Sequence, residues 1–366
     1  MPGTDPAEAI AVVLGELPHL PFLPELPARG PGADLVGRTA ALLVDLPTET
    51  TAGGWRLAAR PGRDLRRATG MMSADLDAME AAAAEYTGPF KIGVCGPWTM
   101  AATLELSRSI EPALADPGAV ADLVGSLAEG VAAHVAAVRR RLPRATLLVQ
   151  VDEPALPGVL AGSVPTASGL RRVSAVDAAL AVDRLREVLS AAHAPTLVHC
   201  CAPEIPFACI TRSGAGAVAF DLSLVRRQDE DAVGEVVEAG LGIFAGAVQV
   251  AAPAAAAAAG NTPAGNRPVG VGRVTAAGRP GGSAGDRPGG AGSDSARAAA
   301  AARETAMAVI DLWRRIGLPV GQLPRQLVIT PACGLAGASP ARARAVLAQC
   351  QAAASLAPEL IEEGVR

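Results

Sequence analysis

The sequence predicts an α/β protein built around a parallel β-sheet. Two observations carry this. Seven short apolar runs of strand length alternate with longer segments of helical periodicity. Strands that alternate with helices place the helices on the faces of a parallel sheet. The chain is also half apolar, 50% of 366 residues, enough for a large core.

Taken in order, runs 19–26, 90–95, 146–152, 196–201, 217–221, 242–248 and 326–330 read as buried strands. Helical periodicity covers 116–142, 177–192, 229–239 and 298–316, the first closed by Arg139, Arg140, Arg141 and then Pro143. Seven strands are one short of a closed (β/α)8 barrel, and an open doubly wound sheet fits the same pattern. No G-x-G-x-x-G follows the first strand, so a dinucleotide-binding fold lacks its signature.

Composition limits the function classes. Alanine supplies much of the apolar content, aromatics are only 2%, and Lys91 is the only lysine beside many arginines. That bias is the mark of a GC-rich coding background, so it says little about function. A net charge of −4 gives no basic footprint for nucleic acid or an anionic membrane surface. No strongly apolar run reaches the ~18 residues of a membrane span, and no signal peptide pattern opens the sequence. The expectation is a cytoplasmic protein. Its six cysteines, Cys95, Cys200, Cys201, Cys209, Cys333 and Cys350, then stay reduced, free to bind metal or to pack.

Residues 251–297 interrupt the pattern with Ala, Gly, Pro and Arg and very few larger apolar side chains. Such a tract cannot bury enough surface to offset its ordering entropy, so disorder is expected. The domain reading is a barrel over 1–250, an insertion over 251–297, and the rest of the barrel over 298–366.

The strand ends carry the chemistry. In Thr196-Leu-Val-His-Cys-Cys-Ala-Pro203, alternation puts His199 and Cys201 on one face and Cys200 on the other. An imidazole and a thiolate suit a borderline-soft metal such as zinc. Buried cysteines packing as small hydrophobes are the plainer reading of the same run. Cys333, in Thr330-Pro-Ala-Cys-Gly-Leu335, ends another strand and would complete three soft ligands. Three protein ligands with one exchangeable position mark catalytic rather than structural zinc. Asp221 closes a further strand. In Gln150-Val-Asp-Glu-Pro-Ala-Leu156, Asp152 and Glu153 point to opposite sides, so only one of them can face a central cavity; a solvated acid pair in a strand-end turn fits the same residues.

With these motifs, the chain resembles the C-terminal catalytic barrel of cobalamin-independent methionine synthases. Gly96-Pro-Trp-Thr99, Gln150–Leu156, His199-Cys200-Cys201 and Pro331-Ala-Cys-Gly-Leu335 carry the resemblance, in the family's order. It implies a TIM (β/α)8 barrel of the methionine synthase/uroporphyrinogen decarboxylase type, a zinc ion, and methyl transfer to homocysteine to give methionine. By resemblance His199, Cys201 and Cys333 are zinc ligands. Asp221 stands nearest the family's glutamate ligand, Asp152 matches the aspartate that holds the homocysteine amino group, and Glu25 matches a second amine-anchoring carboxylate more loosely. The implied methyl donor is methyl-folate or a methylcorrinoid protein.

The chain departs from the family in four ways. Segment 246–250 has no histidine where the family keeps a catalytic one, Ala332 replaces an aspartate, and no folate-binding N-terminal half is present. The opening residues match the tail of the family's first strand, so the first barrel strand is expected to be missing. Two other readings fit the sequence: a zinc- or thiol-binding barrel without catalysis, and a uroporphyrinogen decarboxylase-like enzyme.

Overall fold

The structure is a computed structural model and describes residues 1–250 and 291–365. The tract 251–290, most of the expected insertion, lies outside the described residues. A small antiparallel hairpin joins β1 (Thr48–Thr50) and β2 (Trp55–Leu57). The main sheet has β3 (Gly88–Cys95), β4 (Ala145–Asp152), β5 (Thr196–Cys200), β6 (Ala217–Asp221), β7 (Gly242–Val248) and β8 (Leu327–Pro331). All neighbours are parallel and the spatial order is the chain order, β3-β4-β5-β6-β7-β8. Six of the apolar runs are therefore strands, with ends that agree within a residue or two.

The seventh run differs. Residues 19–26 make only one parallel bridge, Phe22 against Lys91, held by Leu23 N–H to Lys91 O and Lys91 N–H to Pro21 O, each 2.9 Å. Proline stands at 18, 21, 24 and 27 and removes the donors a continuous ladder needs. The expected eight-stranded barrel is not closed: among the described residues no strand joins β8 back to the Phe22 segment. The result is a mixed α/β fold with a six-stranded parallel half-barrel.

Helices α1 (Pro6–Glu16), α2 (Leu35–Ala40), α3 (Arg63–Ala83), α4 (Pro97–Thr103), α5 (Pro117–Arg141), α6 (Leu156–Leu160), α7 (Ala178–Ala191), α8 (Phe207–Arg212) and α9 (Glu230–Glu238) precede the undescribed tract. Helices α10 (Ala291–Arg315), α11 (Leu323–Gln326) and α12 (Pro340–Val365) follow it. Helix α10 already begins at Ala291, ahead of the expected start at 298. Asp116 caps α5 by accepting from Gly118 and Ala119 N–H, and Asp177 caps α7 in the same way. Arg139–Arg141 then sit at the C-terminal end of the α5 dipole. Helix α5 is long and apolar enough to cross a membrane by composition alone. Its apolar stripe of Leu123, Val124, Leu127, Val131, Val135 and Val138 is instead buried in the core.

The sheet has two unlike faces. Outward residues such as Phe90, Ile92, Val149, Val151, Val198 and Phe220 join the main core under the helices. Inward residues Leu148, Leu197, Ala217, Ala219, Phe244 and Val328, with Leu20, form a separate small cluster. That cluster is the floor of the half-barrel, and the next inward positions on β4, β5 and β6 are polar.

Candidate metal and substrate site

Strand alternation carries each inward row from floor to mouth: Leu148, Gln150, Asp152 on β4; Leu197, His199, Cys201 along and just past β5; Ala217, Ala219, Asp221 on β6. Cys200 points the other way and is fully buried, whereas Cys201 is partly exposed and Cys333 exposed. The strand phase read from the sequence therefore holds.

The two thiols meet. Cys201 Sγ and Cys333 Sγ lie 4.0 Å apart, although one follows β5 and the other β8. In a flat sheet, three strand spacings would separate those strands by about 14 Å. The curl of the half-barrel removes that gap. Two sulfurs bound to one tetrahedral zinc ion at ~2.3 Å would lie about 3.8 Å apart, so the pair suits such an ion. The thiols share a hydrogen bond. It draws the Cys333 thiol down to about 6, helped by the Gly334 N–H and by His199, with burial and Asp221 acting against it. The same bond, with burial, drives the Cys201 thiol upward.

His199 is engaged by a carboxylate. Its Nδ1 lies 2.6 Å from Asp152 Oδ1, a contact set by the register that pairs Asp152 with His199. Asp221 is occupied as well. Its Oδ1 accepts from Ser223 N–H at 2.9 Å, Ser223 Oγ at 2.7 Å and Gln249 Nε2 at 3.3 Å. Among the described residues, no three His, Cys, Asp or Glu side chains stand close enough to share an ion. The four expected ligands thus form a thiol pair, an imidazole held by a carboxylate, and an aspartate in a turn. Their donor chemistry suits zinc; as placed, only the sulfur pair has ligating separation.

The carboxylates divide by face. Asp152 looks inward. Glu153 is fully buried on the far side and caps α4: Oε1 accepts from Trp98 N–H at 2.9 Å, and Oε2 from Thr99 N–H and Thr99 Oγ1, both at 2.7 Å. Burial pushes its carboxyl up to about 7 even so, against the lowering by those donors. Gly96 makes room for it, since a Cβ there would lie 2.6 Å from Glu153 Cγ. Glu25, from the Phe22 segment, reaches the same chamber as Asp152. A Cβ on Gly93 would lie 3.6 Å from Asp152 Oδ2 and 3.7 Å from Glu25 Oε1, so both oxygens approach one open position. Burial raises the Glu25 carboxyl, and Arg38, with Nε 3.7 Å away, opposes that. Arg38 is itself buried and held by Asp75.

Segment 246–250 is also explained locally. Gly246 is wedged: a Cβ would lie 2.8 Å from both Ala332 Cα and Phe220 O. Gln249 fills the place beside Asp221, and Ala332 is buried, its N–H bonded to Val248 O at 2.9 Å.

Sequence reasoning missed Lys91 and Gln150. Lys91 Nζ donates to Gln150 Oε1 at 2.6 Å, and Gln150 Nε2 donates to Asp152 Oδ1 at 2.7 Å. A signal was there: an arginine-rich chain with a single lysine puts it in a core strand.

No family model matches the chain, and no curated protein matches it. Among solved structures, it is similar to a B12-independent methionine synthase from Shewanella sp. W3-18-1 in complex with selenomethionine. Identity is 12%, the TM-score is 0.46, and the match covers 87% of this chain and 76% of that one. The fold described above rests on its own strand order and register.

Proposed function

We propose that this chain is a zinc-dependent methyltransferase that moves a methyl group to the thiol of homocysteine, forming methionine. The observation that carries the reading is the approach of Cys201 and Cys333 to 4.0 Å at the mouth of the half-barrel, beside the His199–Asp152 pair. Cys201, Cys333 and His199 would hold the ion, with Asp221 as the fourth donor. When bound, zinc supplies a Lewis acid that keeps a coordinated substrate thiol ionised at neutral pH.

The chain's own residues do the rest. Asp152 Oδ2 and Glu25 Oε1 bind the substrate ammonium above Gly93, which fixes the direction of the thiol. Asp152 Oδ1 orients His199. Glu153 locks α4 against the end of β4 and so fixes the backbone that carries Asp152. The methyl donor in this reading is methyl-folate or a methylcorrinoid protein, and the setting is the cytoplasm.

One observation favours a second reading, a zinc- or thiol-binding protein without turnover: Gln249, not a titratable acid, stands beside Asp221. The decarboxylase reading is weaker. It needs free cations for several substrate carboxylates, yet Lys91 and Arg38 already have partners inside the protein. Metal analysis with a homocysteine methylation assay, run with methyltetrahydrofolate and with methylcobalamin, separates these. About one zinc per chain with turnover supports the methyltransferase. Zinc without turnover on either donor supports the binding protein, and a metal-free active-site mouth ends both zinc readings.

A further inference from the structure

Four polar side chains cross the chamber in one hydrogen-bonded line. Lys91 on β3 donates to Gln150 Oε1 (2.6 Å), Gln150 Nε2 donates to Asp152 Oδ1 (2.7 Å), and that oxygen lies 2.6 Å from His199 Nδ1. The chemistry gives the line a direction. An ammonium only donates and a carboxylate only accepts. Lys91 therefore holds the carbonyl end of the Gln150 amide, and the NH2 end faces Asp152. Asp152 Oδ1 then accepts twice, once from Gln150 and once from His199 Nδ1–H. Its other oxygen, Oδ2, is left towards Gly93 and Glu25.

The consequence falls on His199. A neutral imidazole with its proton on Nδ1 keeps its lone pair on Nε2, and only an unprotonated nitrogen can ligate a metal. We propose that Gln150, anchored by Lys91, is a positioning residue: it fixes Asp152 so that Oδ1 sets the His199 tautomer with Nε2 free while Oδ2 remains for substrate. The metal half of this rests on the zinc reading above; the tautomer does not.

The anchor fits its place. The Lys91 ammonium lies 5.3 Å from the centre of the Phe22 ring, which covers its other side with a favourable face. Burial works against its charge, and Asp152 and Glu25 support it. One strong acceptor, Gln150 Oε1, suits a compact ammonium better than a guanidinium with five donors.

The test is nitrogen NMR of the histidine rings in metal-free, 15N-labelled protein, with His199 assigned from His199→Gln. Wild type should show the Nδ1–H form of His199. An Nε2–H form overturns the proposal at once. Gln150→Leu frees Asp152 to swing away from His199 Nδ1 and should shift the tautomer ratio towards Nε2–H by about fivefold, the loss of the single Nδ1–H···Oδ1 hydrogen bond. Lys91→Met, which keeps the amide but frees it, should shift the ratio the same way by less and serves if Gln150→Leu does not fold. An unchanged ratio in a folded variant overturns the role. Cobalt(II) titration is the second readout, with affinity in Gln150→Leu about tenfold weaker than in wild type. Equal affinity in both refutes the link to the metal. A wild type that shows the Nδ1–H form but takes up no cobalt refutes the zinc reading and leaves the tautomer assignment standing.

Discussion

Replacing Gly96 by alanine tests how the site is held. The backbone there, φ −78° and ψ 164°, suits any residue, so strain is not the issue. The added methyl is the whole perturbation. It would lie 2.6 Å from Glu153 Cγ, well inside contact distance. A free glutamate would swing aside at little cost, but Glu153 is fully buried and bonded to Trp98 N–H, Thr99 N–H and Thr99 Oγ1. Moving it strands first-turn donors of α4 and a buried carboxyl. Hydrogen bonds to a charged group contribute ~1.5–3 kcal/mol each, and partial relaxation recovers some of that, so we expect a loss of about 3–5 kcal/mol. Urea unfolding of Gly96→Ala, Glu153→Ala and the double variant gives the measurement. With Glu153 truncated the methyl has space, so Gly96→Ala should then cost under ~1 kcal/mol. A single variant within ~1 kcal/mol of wild type, or the same penalty in both backgrounds, refutes the reasoning. The site should feel the change too, since Gly96 N–H bonds Asp152 O at 2.8 Å and Glu153 N–H bonds His199 O at 2.7 Å.

Other outcomes follow from the same geometry. Cys201→Ala, Cys333→Ala and His199→Ala should each lose bound zinc, while Cys200→Ala, on the opposite face, keeps it; metal analysis of the purified variants checks this, and the reverse pattern for Cys200 and Cys201 contradicts the strand phase. Gly93→Ala should fold normally, because its Cβ makes only ordinary contacts at 3.6 and 3.7 Å, yet reduce the thermal shift that homocysteine induces in wild type. His134 is buried in α5, and burial holds its imidazole down at about 4 against an ordinary 6.5. Between those values the unfolded chain binds the extra proton, so this contribution is full above pH 6.5 and is lost as pH falls towards 4. The loss is about 3 kcal/mol, read as the changing stability difference between wild type and His134→Leu in urea titrations at pH 7 and pH 4.

Much of this architecture was legible in the residues. Six strands could be placed because buried parallel strands are short and almost wholly apolar, and Asp116 and Asp177 cap helices that the periodicity already outlined. The 19–26 run misled because its hydrophobicity is that of a strand while its prolines deny it a ladder. Strand parity alone assigned His199 and Cys201 to one face and Cys200 to the other.

Local pattern carries no information about curvature or register. Whether Cys333 reaches Cys201 depends on the bend accumulated over β5 to β8, a property of the whole sheet. Whether Lys91 finds Gln150 depends on the pairing that sets Gly93 opposite Gln150, and the Asp152–His199 contact on the pairing of β4 with β5. The order of the amino acids determined which chemical groups line the inner face; long-range packing decided which of them touch, because hydrogen bonds between strands are made by parts of the chain that no short window contains.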